Sequence, residues 1–142
     1  IDVSGHFIED SKKIAFVSDR LGYPNIFTKS FDSTAAERLV YHGRNNNSCS
    51  TFGNYVVYTS RDTDNEFARN SFNLYLVSTR SDSVRKLSSI GVNQFPNFSE
   101  DGESILFIKQ YKEESSLGII RIHYNKSFLF PLKRGKIQSI DW

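Results

Sequence analysis

Cysteine occurs once in the 142 residues, as Cys49, so no disulfide closes within the chain, and zinc ligand sets built on two, three or four thiolates are excluded. An excess of one charge is also missing. The 18 Lys plus Arg face 16 Asp plus Glu, and a net +2 gives no broad basic footprint of the kind that phosphate-backbone binding needs. Nucleic acid is therefore not expected as a partner. Long apolar runs are absent too: Ile105 to Ile108 and Leu74 to Val77 are typical, far short of the roughly 20 residues that span a bilayer, so no membrane span is expected. No window of eleven residues or more places apolar side chains at helical spacing. The opening Ile-Asp-Val-Ser has neither an initiator Met nor a basic head with an apolar stretch, which leads to the expectation that any targeting segment was removed or lies outside these residues.

What is present is strand chemistry. The chain is 38% hydrophobic and 14% aromatic, enough for a packed core. Its β-branched and aromatic residues come in short runs separated by Gly, Asn, Asp and Ser. The runs predict strands at Lys13 to Ser18, Asn25 to Lys29, Glu37 to Tyr41, Tyr55 to Ser60, Asn73 to Ser78, Val84 to Leu87, Ser104 to Lys109, Gly118 to His123 and Phe128 to Leu132. Asp10-Ser11 and Asp101-Gly102 supply hairpin chemistry, and Leu21-Gly22-Tyr23-Pro24 breaks the chain between two strands. The class is all-β.

The runs repeat. His6 to Phe16 lies over Asn97 to Phe107 without a gap, and Ser48 to Tyr58 takes the same register, with Tyr58 matching Phe16 and Phe107. That register places Cys49 at the first-strand aromatic position of Phe7 and Phe98, as a buried, inert thiol. Units about 42 to 49 residues apart, with four strands per unit, are the signature of β-propeller blades. The expected blades are about 1–43, 44–90 and 91–135, with a closing strand at 136–142 in which Trp142 is buried against another blade. Middle strands such as Ile-Ala-Phe-Val and Ile-Leu-Phe-Ile are near-continuously apolar because blades cover both their faces. Three blades alone leave two wide apolar faces, so the chain is expected to be the closing half of a larger ring.

Phe95-Pro96-Asn97-Phe98-Ser99-Glu100-Asp101-Gly102, running into Ile105-Leu106-Phe107, resembles the TolB-type, WD40-like repeat, and Lys13 to Phe27 carries the rest of that pattern. Glu9 and Glu100 stand where the family often has Pro, and the middle unit keeps little of the motif beyond Gly53 and its apolar strand. The resemblance covers nearly the whole chain and is closest to the last three blades of a six-bladed ring. It implies a non-enzymatic periplasmic protein of the Tol-Pal envelope system. Such proteins bind the peptidoglycan-associated lipoprotein Pal on one propeller face and couple to TolA through an amino-terminal region. They support outer-membrane integrity and cell division.

In a blade, the loop leading into the first strand and the loop between the second and third strands open on one face. The lead-in loops carry Arg44, Asn45, Asn46, Asn47, Asn93, Gln94 and Phe95, and Tyr23 lies in a neighbouring loop; these are the expected partner-binding residues. Phe67, in the long loop from Arg61 to Phe72, is expected to cover its own loop. Asp62-Thr63-Asp64-Asn65-Glu66 offers alternating oxygen ligands but lacks the turn Gly and terminal Glu of an EF-hand, and no metal or cofactor is expected. His6, His42 and His123 fall at different repeat positions, and Asp10 and Asp101 occupy hairpin turns. Asn46, Asn97 and Asn125 begin Asn-x-Ser triplets, for which chance is the better account. No Gly-x-Ser-x-Gly elbow is present, so catalysis is not expected; the alternative is the propeller of a prolyl-oligopeptidase-like hydrolase, gating substrate to a domain elsewhere. Two copies of the chain could also cover each other's blade ends as a homodimer.

Overall fold

A computed structural model describes residues 2–8, 12–41, 43–61, 71–81, 83–124 and 126–132, with the side chains of residues 2–4 and 44 excepted. Trp142 and the expected closing strand, the acidic loop at 62–66, Phe67, Asp10, His42 and Asn125 lie outside these residues.

The described chain is β-strand joined by turns, with a single short 3-10 turn at Ile122–Tyr124. Strands β1 (Asp2–Ile8), β2 (Lys13–Ser18), β3 (Asn25–Ser30) and β4 (Glu37–Arg38) form an antiparallel sheet in chain order. The same order recurs in β5 (Arg44–Phe52), β6 (Tyr55–Arg61), β7 (Phe72–Ser78) and β8 (Val84–Lys86). It recurs again in β9 (Val92–Phe98), β10 (Ser104–Tyr111), β11 (Glu114–Arg121) and β12 (Lys126–Pro131). A single parallel bridge, Phe72 to Val92, links the second and third groups. The first strands adjoin one another, β1 beside β5 and β5 beside β9, as the innermost strands of propeller blades do.

Alternation explains how the groups stack. Successive side chains of a strand point to opposite faces. On β6, Val56 and Tyr58 turn toward the first group and join Ile8, Ala15, Val17, Ile26, Val40, Cys49 and Val77. Val57, between them, turns the other way and packs with Leu76, Phe98, Ile105 and Ile122. A middle strand that serves two cores has no polar side left, which is why it reads as a continuous apolar run. The second and third strands also face each other through rings: Phe16 lies 6.1 Å from Phe27 and Tyr58 lies 5.8 Å from Tyr75. In the third group the partner of Phe107 is Gly118, and a Cβ on Gly118 would collide with the Phe107 ring. One ring there fills the space that two share elsewhere.

Each innermost strand carries a bulge opposite that central ring. Ser4-Gly5 lies opposite Phe16, Ser48-Cys49 opposite Tyr58, and Phe95-Pro96 opposite Phe107. This corrects the gapless register of the middle unit. Its hairpin turns directly from Phe52 to Tyr55, whereas the third group runs from Phe98 to Ile105, so Thr51, not Cys49, takes the place of Phe7 and Phe98. Cys49 sits in the bulge instead. It is buried all the same, and burial pushes its thiol up to about 12.

The candidate partner-binding face

The antiparallel order sends the β2–β3 turn and the loop from β4 into β5 to one end of the sheets, and the β1–β2 hairpin and β3–β4 turn to the other. The same holds in the next two groups. The first end, the lead-in face, is tied together by a repeated asparagine pair. Asn25, the first residue of β3, accepts a hydrogen bond at Oδ1 from Asn46 Nδ2 of the next group at 2.8 Å. Asn73, at the same register on β7, accepts from Asn93 Nδ2 at 3.1 Å, and that same amide reaches the Phe72 and Ile90 carbonyls, each at 3.1 Å. Ser88 donates to Asn73 Oδ1 at 3.1 Å and accepts from the Leu74 N–H at 2.9 Å. Backbone bonds reinforce both joints: Asn46 N donates to the Pro24 carbonyl at 3.0 Å and Phe72 N to the Gly91 carbonyl at 3.2 Å.

Asn46 and Asn93 therefore stand apart from the other expected contact residues. Both are fully buried, their side chains turned into the joint between groups and away from solvent, because a buried strand-end carbonyl or amide must find a partner. Among the remaining candidates, Tyr23 is 41% exposed, and Asn45, Asn47, Gln94 and Phe95 are partly exposed. Asn47 is engaged by Thr59, whose hydroxyl reaches both the Asn47 carbonyl, at 2.9 Å, and Oδ1. For Arg44 the backbone lies in β5 and its side chain is outside the described ones.

The structure adds residues that motif reading passed over. Leu21, Tyr41, Ile90 and Tyr111 are large apolar side chains between 47% and 75% exposed, all in loops or strand ends of this face. Two of them carry a cation: the Arg38 guanidinium is 4.8 Å from the Tyr41 ring centre and the Lys112 ammonium 5.3 Å from that of Tyr111. The available signal was an apolar residue in a stretch otherwise made of turn formers.

Backbone conformation separates the faces more sharply. Six described residues other than glycine have positive φ. Four lie at the lead-in face: Asn45 (51°), Ile90 (62°), Lys112 (48°) and Glu113 (63°). The other two, Ser48 (51°) and Phe95 (57°), lie in the bulges of β5 and β9 opposite the central rings, whereas Asn45 sits in a second irregularity of β5, between Arg44 and Asn47. Left-handed backbone disfavours any residue with a Cβ, and a β-branched one such as Ile90 most of all. Lys112-Glu113 forms a two-residue hairpin turn with both φ positive, a geometry that ordinarily selects Asn-Gly.

The titration behaviour of buried groups is structural. Burial lowers the His6 pKa and raises that of Tyr58, with Tyr75 adding to the latter. Asp101, on the opposite face, is held below its ordinary value by the Ser99 hydroxyl and the Glu103 N–H. Among the described residues no three His, Cys, Asp or Glu gather as metal ligands, and no helix is long and apolar enough to cross a membrane.

A family model described as the TolB beta propeller domain matches residues 1–142. The Tol-Pal system protein TolB of Wolinella succinogenes is 59% identical over 143 residues, a match that covers 100% of this chain and 34% of that protein. That of Helicobacter hepaticus is 53% identical over 144 residues, with the same coverage of 100% and 34%. The chain thus spans about a third of the length of the curated relatives it matches. Among solved structures, TolB from Acinetobacter baumannii superposes with a TM-score of 0.77 at 20% identity, over 96% of this chain and 33% of that one. A puromycin hydrolase reaches 0.71 at 9% identity, over 95% and 21%. At such identities these two likenesses concern the fold alone. On the family match and the whole-chain identity, the chain belongs to the TolB β-propeller family.

Proposed function

We propose that the lead-in face docks a protein partner of the Pal type, as part of a non-catalytic TolB-like scaffold in the periplasm that serves outer-membrane integrity and cell division. The observation that carries this reading is the backbone of that face: among the described residues, every loop position that holds a side chain in left-handed conformation lies there. Strain of this kind persists where the surroundings impose it, and it collects at binding surfaces. Exposed Tyr23, Tyr41 and Ile90 supply the aromatic and apolar anchors that dominate protein interfaces. Coupling to TolA is assigned to sequence outside these residues, and the groups are read as blades at about 1–43, 44–90 and 91–135 of a six-bladed ring closed by 136–142.

The test is titration of the full-length protein with a purified Pal domain. Saturable binding that weakens at least tenfold in a Tyr41→Ser/Ile90→Ser variant is expected, and no association with the unaltered protein would overturn the proposal. A companion proposal concerns the 142 residues on their own. Phe128, Leu129 and Phe130 on β12 are about half exposed, and an apolar strand at a sheet edge invites pairing with a second copy. Light scattering at the monomer mass would remove it.

A further inference from the structure

A groove of about 640 Å³ opens between the second and third groups, on the face away from the lead-in loops. Its floor is Phe52, Tyr55 and Phe98, with Phe52 and Phe98 ring centres 6.0 Å apart and Phe52 and Tyr55 keeping 40% and 49% of their surface exposed. One wall accepts hydrogen bonds. Asp101 Oδ1 is fixed there by the Ser99 hydroxyl at 2.6 Å and the Glu103 N–H at 3.0 Å, and the half-exposed Glu103 carboxylate forms a long, solvent-open ion pair with Arg121 at 3.9 Å. The other wall donates. Ser78 and Ser81 use their oxygens to accept from the backbone N–H groups of Arg80 and Ser83, and among the described residues no acceptor takes their hydroxyl hydrogens.

We propose that this groove binds an extended segment of a partner protein in which a lysine or arginine neighbours an apolar residue. An extended peptide presents carbonyls along one edge, suited to the hydroxyl wall. A basic side chain beside them meets the Asp101 and Glu103 carboxylates while its aliphatic stem lies across the exposed ring faces, where a cation is attracted to the aromatic quadrupole. The volume is within the range of sites that enclose a short segment, and the position between two structural units is a common one. Gly102 keeps the floor open and closely packed at once: it has a φ of 73° and touches the Phe52 ring so closely that a Cβ there would collide with it. The site is separate from the lead-in face, so its failure would leave the Pal-type proposal untouched.

The experiment is ligand-observed NMR titration of the full-length protein with three terminally blocked tripeptides, Lys-Leu-Lys, norleucine-Leu-norleucine and Glu-Leu-Glu. The Lys peptide should bind with the highest affinity and the Glu peptide least. Glu103→Gln should weaken Lys-Leu-Lys roughly two- to fivefold, the measure of one exposed charge pair. Tyr55→Ala should weaken it by about the same factor, as expected of one exposed cation–ring contact. Ile90→Ser, on the other face, should leave it unchanged. Equal affinity for the acidic peptide, or indifference to Glu103→Gln, would overturn the proposal. So would a failure of the Lys peptide to bind at millimolar concentration, including one caused by another part of the full-length protein occupying the groove.

Discussion

The two faces of the sheet stack are built from the same repeated strands and both turn through glycine, but among the described residues only one face also forces larger side chains into left-handed loop backbone. Away from the lead-in loops, the described hairpins turn through Gly53 and Gly102, and Ser99, Asp101 and Glu103 close the longer turn with side-chain and backbone hydrogen bonds. Such turns are local solutions at low cost. At the lead-in face, Ile90, Lys112 and Glu113 hold conformations that their side chains oppose, and the amide of Asn93 clamps the Ile90 carbonyl in place. The difference teaches that stability alone does not explain the lead-in face. Gly22, Gly43 and Gly91 take positive φ at this face as well, so the difference lies in Ile90, Lys112 and Glu113, three positions where a chain selected only to turn would have used glycine or asparagine.

The largest expected effect tests what imposes the strain. Asn93→Ala deletes three hydrogen bonds from one buried amide, taking a donor from Asn73 Oδ1 and from each of the Phe72 and Ile90 carbonyls, and it should lower unfolding free energy by about 2 to 4 kcal/mol in denaturant titration. Gly118→Val, which drives a side chain into the Phe107 ring, should cost about 1 to 3 kcal/mol with no preference between faces. It is the control for a packing defect. Next, Lys112→Asn/Glu113→Gly should raise stability by about 1 to 2 kcal/mol, because the replacements accept the turn that the native pair resists. Destabilisation by that pair would break the comparison.

A smaller effect is set by pH. The Asp101 carboxyl is held below its ordinary value by hydrogen bonds that favour its ionised form, so its contribution to the hairpin is present at neutral pH. It is lost as pH falls below the ordinary carboxylate range and through the depressed folded value. Asp101→Ala should remove that part of the acid dependence of stability and leave the lead-in face unaffected. The smallest effect concerns Cys49: with its thiol pushed up to about 12 and the side chain buried, it should resist alkylation at pH 8 until the protein is unfolded. Labelling at the rate of a free thiol would show that the bulge opens.

Much of this architecture can be read from the residues. Lys13 to Ser18 is a strand with the bounds its β-branched run implies, and Ser104 to Lys109 belongs to a longer one. The runs register because a strand between two neighbours must be apolar on both faces. The third strand of the third group runs from Glu114 to Arg121, starting well before the expected Gly118; its first residues, Glu114 to Ser116, are polar and carry no apolar run, yet they pair with Tyr111 to Lys109 across the hairpin. Bulges were also hidden. An extra residue on an innermost strand leaves no mark in composition, and the two-residue slip at Cys49 has another source: the middle hairpin, from Phe52 to Tyr55, is two residues shorter than the others, which a gapless count does not register. The candidate site was legible as a face and not as a list of side chains. Loop position placed Asn46 beside Asn45, but whether an amide points to solvent or into a joint depends on a partner about twenty residues away, Asn25, whose role as an acceptor no local pattern announces.

The most direct measurement compares the faces in one titration. A purified Pal domain is added to full-length protein carrying Tyr23→Ser/Tyr41→Ser/Ile90→Ser on the lead-in face, and to protein carrying Tyr55→Ser/Val84→Ser/Tyr124→Ser on the other. All six positions are exposed, so both variants should fold. The account predicts at least a tenfold loss of affinity for the first and none for the second. Loss confined to the second, or the same loss in both, would contradict it.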